Sequence, residues 1–168
     1  MIKRTNITLP TLAIALAITS APSIADDNKG QAYAGLKFGS FQVDVEGVDN
    51  STPIGFQLGY DLGDTLSFEV EYNKGSGDVD FGFAETEYDM TTMAIYATFR
   101  SKGKGYFLAK AGLIKEEIEI GSISEDDTGL SYGFGGGFKL NDNIALEAEF
   151  TIVEEDANYI GATARFLF

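Results

Sequence analysis

Residues 144–152 read Ile-Ala-Leu-Glu-Ala-Glu-Phe-Thr-Ile, so Ile144, Leu146, Ala148, Phe150 and Ile152 alternate with Glu147, Glu149 and Thr151. Side chains of an extended chain point to opposite faces with a period of two, so such a segment forms a strand with one apolar and one polar face. The pattern recurs. Leu66, Phe68, Val70 and Tyr72 alternate with Ser67, Glu69, Glu71 and Asn73. Leu130, Tyr132, Phe134 and Phe138 alternate with Ser131, Gly133, Gly135 and Gly137, and residues 54–62 and 159–168 behave alike. Three further strands are expected at roughly 31–39, 88–100 and 105–115; in the second of these, Met93, Ile95, Ala97 and Phe99 are assigned to the apolar face.

Between these strands the connections alternate in length. Residues 61–64, 101–104 and 141–143 are short and rich in Gly, Asp, Asn, Ser and Lys, a tight-turn composition. The stretches near 40–52, 75–86 and 116–128 are longer and acidic, and the one near 154–157 is shorter. Eight strands joined short-long-short predict an all-β fold: an antiparallel up-and-down transmembrane β-barrel with periplasmic turns, outer loops and periplasmic termini. A soluble barrel would place the apolar face inside; Gly and charge on the other face favour the lipid-facing arrangement.

The first 25 residues fit export. Lys3 and Arg4 precede an uncharged stretch from Ile7 to Ile18, and small residues lead to Ser23 and Ala25, so cleavage is expected after Ala25, leaving 26–168 as one barrel domain. The apolar run is too short to span a bilayer comfortably and Pro10 interrupts it. Loss of the leader removes two of the 12 basic residues and none of the 26 acidic ones, taking the net charge from −14 to −16. Such a chain is unsuited to nucleic acid, which is bound through basic patches. His and Cys are both absent, so no relay built on either is available, and no disulfide holds this exported chain. Gly135-Gly136-Gly137 lacks the Lys and Ser/Thr of a phosphate loop. No enzyme activity and no cofactor are expected.

The chain ends on Phe166-Leu167-Phe168 within an alternating strand. With the eight-strand pattern over roughly 31–168, this ending resembles the small eight-stranded outer-membrane barrels of the outer-membrane protein A and X type. The resemblance implies a Gram-negative outer-membrane location and recognition of Phe166 and Phe168 by the barrel-assembly machinery. It implies a monomer, here with no periplasmic domain following. Trp is absent, so interfacial girdles would be built from Tyr and Phe.

The polar face is charged. By alternation Lys37, Arg100, Lys110, Lys139 and Arg165 point inward, facing Glu69, Glu71, Glu147 and Glu149. An eight-stranded barrel is just wide enough for its own side chains, and charges held there must be paired. The set is therefore expected to be a structural plug, with a gated or narrow ion path along the same charges as the alternative. For Arg165 the nearest expected acids are Glu147 and Glu149. Seventeen of the 26 acids are assigned to the outer connections: Asp44, Glu46, Asp49, Asp78, Asp80, Glu85, Glu87, Asp89, Glu116, Glu117, Glu119, Glu125, Asp126, Asp127, Glu154, Glu155 and Asp156. They form a solvated anionic rim that resists aggregation, or bridge through Ca²⁺ or Mg²⁺ to lipopolysaccharide. No dedicated metal site is expected, since no segment has EF-hand spacing. Function is then expected to be structural or a surface interaction such as adhesion, with a narrow porin-like channel as the alternative.

Overall fold

A computed structural model describes residues 30–43, 50–80, 85–121, 123–154 and 157–168. The leader, its cleavage point, and Asp44, Glu46, Asp49, Glu155 and Asp156 lie outside the described residues. The strands are β1 (Gln31–Val43), β2 (Ile54–Asp61), β3 (Leu66–Asp80), β4 (Glu85–Arg100), β5 (Gly105–Ile120), β6 (Ile123–Lys139), β7 (Ile144–Glu154) and β8 (Ala157–Leu167). Each pairs antiparallel with its chain neighbour, and β8 returns to β1 through the run Tyr33↔Leu167 to Val43↔Ala157, closing the barrel. Closure leaves no sheet edge within lipid, where an unpaired N–H or C=O is costly. The expected eight-stranded up-and-down barrel is what the chain forms.

The apolar face is outside. Phe56, Phe68, Ile95, Leu113, Phe134 and Leu146 are exposed, while Lys37, Glu69, Arg100, Thr151 and Arg165 are buried. In β4, Met93, Ile95, Ala97 and Phe99 all face out, as the alternation assigned them.

Three short turns, at 62–65, 101–104 and 140–143, gather at one end with Gln31 and Leu167; this is the turn end. Asp61 belongs to β2 rather than to a turn. At the opposite, hairpin end, two expectations are corrected. Residues 75–86 and 116–128 are not long loops: β3 and β4 stay paired to Asp80↔Glu85, and β5 and β6 to Ile120↔Ile123. The sequence reading treated acidic residues as loop formers. A ladder in water solvates most of these side chains, Glu116 being buried, while Ile114, Ile118 and Ile120 keep the period of two. Gly121, at φ +62°, supplies the left-handed residue for the tight reversal. β1 likewise runs on to Val43.

Strand lengths therefore differ. β3 to β6 have 15, 16, 16 and 17 residues, against 8 to 13 in the other four. A tilted strand crosses the hydrocarbon in about 9–11 residues, so these four project beyond it as a sheet. Inside the hairpin end an apolar cluster includes Phe41, Met90, Tyr96, Ile114, Val153 and Tyr159, with Ile120 packed against it.

The outward face makes a direct prediction. Ile95→Arg, near the middle of the membrane-crossing part of β4, should destabilise the barrel by roughly 2–4 kcal/mol. Glu119→Arg, on the exposed part of β5, should be close to neutral. Urea titration of refolding into lipid vesicles measures both; similar costs for the two would mean the strands are misplaced relative to lipid.

Candidate functional site

Inward residues of one strand are two positions apart, so the interior is built in levels. The level nearer the hairpin end takes one residue from each of β1, β3, β5 and β7. Lys37 Nζ donates to Glu71 Oε2 at 2.6 Å and to Glu149 Oε1. Lys110 Nζ donates to Glu71 Oε1 at 2.7 Å and to Glu149 Oε2 at 2.9 Å. Each lysine bridges both carboxylates and each carboxylate accepts from both lysines. The result is a closed, electrically neutral ring of four buried side chains. Lys110 also lies 4.5 Å from the centre of the Tyr96 ring, a favourable cation–aromatic geometry.

The level nearer the turn end centres on Arg100. Its Nε donates to Glu147 Oε1 at 2.8 Å, Nη2 to Glu69 Oε2 at 3.0 Å and Nη1 to Ser67 Oγ at 2.6 Å. Tyr33 donates its phenol proton to Glu69 at 2.6 Å, and Tyr106 donates to Glu147 at 2.7 Å. Arg165 pairs with Asp61, approaches Glu147 at 3.5 Å and stacks over the Tyr33 ring at 3.9 Å. Charge-assisted bonds of this kind offset the desolvation of buried ions, and removal of one partner leaves the other uncompensated.

Of the nine residues assigned to the interior from sequence, eight are buried there and joined in these two levels: Lys37, Glu69, Glu71, Arg100, Lys110, Glu147, Glu149 and Arg165. Lys139 is the exception. It has the inward phase but lies at the turn-end mouth, where it is exposed and forms no ion pair among the described residues. Arg165 takes Asp61 as well as Glu147, whereas Glu149 goes to the lysines. Asp61 escaped the sequence reading because a turn was drawn through it, although it shares the inward phase of Gln57. Phe166 and Phe168 both lie on the outward face at the turn end, and the Phe168 N–H donates to Ala32 O at 2.9 Å.

The tyrosines were also missed, and their placement follows a rule. Tyr33, Tyr88, Tyr96 and Tyr106 each pair across the ladder with a glycine: Gly59, Gly77, Gly112 and Gly137. A Cβ on Gly59 would sit 2.2 Å from the Tyr33 ring, and one on Gly137 2.4 Å from that of Tyr106. The glycines make room for the rings that carry the two phenol donors.

Below Arg100 and Arg165 a polar vestibule of about 320 Å³ opens at the turn end, with Asp61, Ser67, Tyr106 and Lys139 in its wall. On its rim Lys102 lies 2.5 Å from Asp64 and holds that carboxyl below the usual range. Both are exposed, so the pair adds little to stability. The described residues contain no group of His, Cys, Asp or Glu side chains placed to hold a metal ion. The interior charges are committed to one another, an arrangement that fastens strands across the lumen.

A closed barrel with apolar residues outside and paired charges inside defines a transmembrane β-barrel protein of the outer membrane. The family described as outer membrane protein beta-barrel domain matches residues 11–165, and the chain belongs to it. Omp38 of Acinetobacter baumannii is 33% identical over 124 residues, which cover 63% of this chain and 35% of that protein. The matched segment is thus about a third of the length of that relative. Among solved structures, the N-terminal barrel of Pseudomonas aeruginosa OprF superposes with a TM-score of 0.60 at 17% identity, over 83% of this chain and all of that one. Ail, the attachment invasion locus protein of Yersinia pestis, superposes in complex with the heparin analogue sucrose octasulfate. Its TM-score is 0.55 at 14% identity, over 84% of this chain and all of that one.

The four-membered ring predicts strong coupling. Lys37→Met leaves two carboxylates to one lysine and should lower the unfolding free energy by about 3–5 kcal/mol. Adding Glu149→Gln should recover part of the loss, so that the double change falls short of the sum by about 0.5–3 kcal/mol. Unfolding from vesicles in urea measures the cycle. Additive effects would show that the four residues do not act as one unit.

Proposed function

We propose that this outer-membrane barrel does not conduct and acts at the cell surface, in attachment or a related interaction, through the sheet projecting from β3 to β6. The observation that carries the reading is the filled interior: two levels of mutually paired charge, capped toward the hairpin end by the cluster around Phe41 and Tyr159. A lumen packed in this way leaves no continuous aqueous path. The turn end then faces the periplasm and the hairpin end the medium. Attachment is also the role in the name of Ail, a barrel of the same fold.

On this reading the chain is exported with its leader cleaved after Ala25 and works as a monomer among lipopolysaccharide molecules, without enzyme activity. Divalent cations bridge its acidic rim to lipid phosphates. Opening a channel would require both charged levels to rearrange. Planar-bilayer recording on the purified protein is the test: a silent membrane is expected, and steady, large single-channel currents would establish the channel instead.

Phe166 and Phe168 are proposed to be read by the barrel-assembly machinery. Deleting Phe168 should slow insertion while leaving export and leader removal intact, followed by pulse-chase fractionation. Insertion at the wild-type rate would remove that role from the terminal aromatic.

A further inference from the structure

The exposed lysines are of two kinds. Lys74, Lys102 and Lys115 each stand beside a carboxylate: Asp89 at 3.8 Å, Asp64 at 2.5 Å and Asp126 at 3.3 Å respectively. Lys104 and Lys139 are exposed as well, and neither forms an ion pair among the described residues. These two are neighbours. The Lys139 N–H donates to Lys104 O at 2.8 Å, which places the residues opposite each other where β5 and β6 begin to pair. Like charges facing each other across a ladder are destabilising, and an anion between them would offset that cost. Such a cationic pair stands out in a chain with 26 acidic and 12 basic residues.

Both lysines line a shallow, open depression of about 480 Å³ at the turn end, together with Gly103, Leu140, Asn141 and Asp142. Lys139 also reaches the vestibule wall, whereas Lys104 does not. Lys104 Nζ instead lies 5.1 Å from the centre of the Phe138 ring, on the outward face, and Leu140 is exposed nearby. A lysine stem on an apolar wall with its ammonium at the edge of the hydrocarbon is suited to the headgroup layer of a bilayer. Asp142 is the one carboxylate in the wall, and it pairs with neither lysine. A soluble anion would meet only the two charges here. A phospholipid would meet the charges with its phosphate and the apolar wall with its chains.

We propose that the depression formed by Lys104 and Lys139 binds the phosphate of an anionic glycerophospholipid of the periplasmic leaflet, whose acyl chains lie against Phe138 and Leu140. This goes beyond surface attachment and holds whether or not the lumen conducts. It shares with the reading above only the orientation of the turn end toward the periplasm, which the test does not require.

The test uses the whole barrel in nanodiscs of phosphatidylcholine containing rising fractions of phosphatidylglycerol, followed through the amide resonances of Gly103 and Leu140. Both should shift saturably. Lys104→Gln with Lys139→Gln should raise the half-saturating fraction about tenfold or more, since one basic charge beside anionic headgroups is worth about fivefold. Lys102→Gln with Asp64→Asn removes a matched pair from the same end and should change it by less than about twofold. Asp142→Asn should lower it. Glycerol 3-phosphate, added to nanodiscs of phosphatidylcholine alone, supplies the headgroup without its chains and should shift neither resonance. All of these positions are exposed in turns or at a strand end, and heat-modifiable migration on a gel shows that each variant has folded. A matched-pair change as damaging as the double lysine change would reduce the site to diffuse attraction. Equal shifts with glycerol 3-phosphate would assign it to a soluble anion. A wild-type barrel without a saturable shift, or a double lysine variant that binds as wild type does, would remove it. Each of these results would overturn the proposal.

Discussion

The ring of Lys37, Glu71, Lys110 and Glu149 is the interaction on which the rest of this barrel depends. Half of each strand's residues must enter a lumen with room for little besides side chains. In this chain many of those residues are charged, and a buried charge is tolerated only where its opposite is within bonding distance. The four residues come from alternate strands around the circumference, so the ring ties together strands that are not neighbours in the sheet. Backbone ladders hold β1 to β2 and β8; Lys37 also holds β1 to β3 and β7. The Arg100 level repeats this closer to the turns, with phenols and hydroxyls taking up the remaining lone pairs of Glu69 and Glu147.

Much of this was legible before the fold was seen. The period of two placed Lys37, Glu69, Arg100 and Arg165 inward and Leu146 and Ile95 outward, because a strand allows two orientations and lipid accepts only one of them. Alternation carries no information on depth, however. It could not distinguish Arg100, which reaches Glu69 and Glu147, from Lys139, which is exposed at the mouth, although each has the inward phase and is the last residue of its strand. Nor could it choose between Glu147 and Glu149 as partners for Arg165, since that depends on stagger between strands, and Asp61 was hidden by its turn-like surroundings. The acidic stretches misled for a different reason. Their composition suits a loop, but backbone pairing and the spacing of Ile114, Ile118 and Ile120 decide their conformation.

The two ends of the interior differ in kind. Toward the turns the residues are ionic and open into a polar vestibule; toward the hairpins they are mainly aromatic and aliphatic, with Phe41 and Tyr159 in tilted contact at 5.3 Å, though Thr92 and Glu116 are also buried. If the barrel is closed as proposed, closure on the side of the projecting sheet rests mainly on packing, while on the other side it is electrostatic.

The pairing of interior tyrosines with glycines has a consequence for how the strands find their places. Sliding one strand past another by two residues keeps every side chain on its correct face, so hydrophobic patterning alone leaves such slips unpenalised. Tyr33 opposite Gly59 removes that freedom. A two-residue slip would bring the ring against the side chain of Gln57 or of Asp61, in a space already filled. With Tyr88, Tyr96 and Tyr106 set into glycine gaps on other seams, the barrel is keyed at four of its eight joints, and its stagger is fixed by shape before any charge is paired.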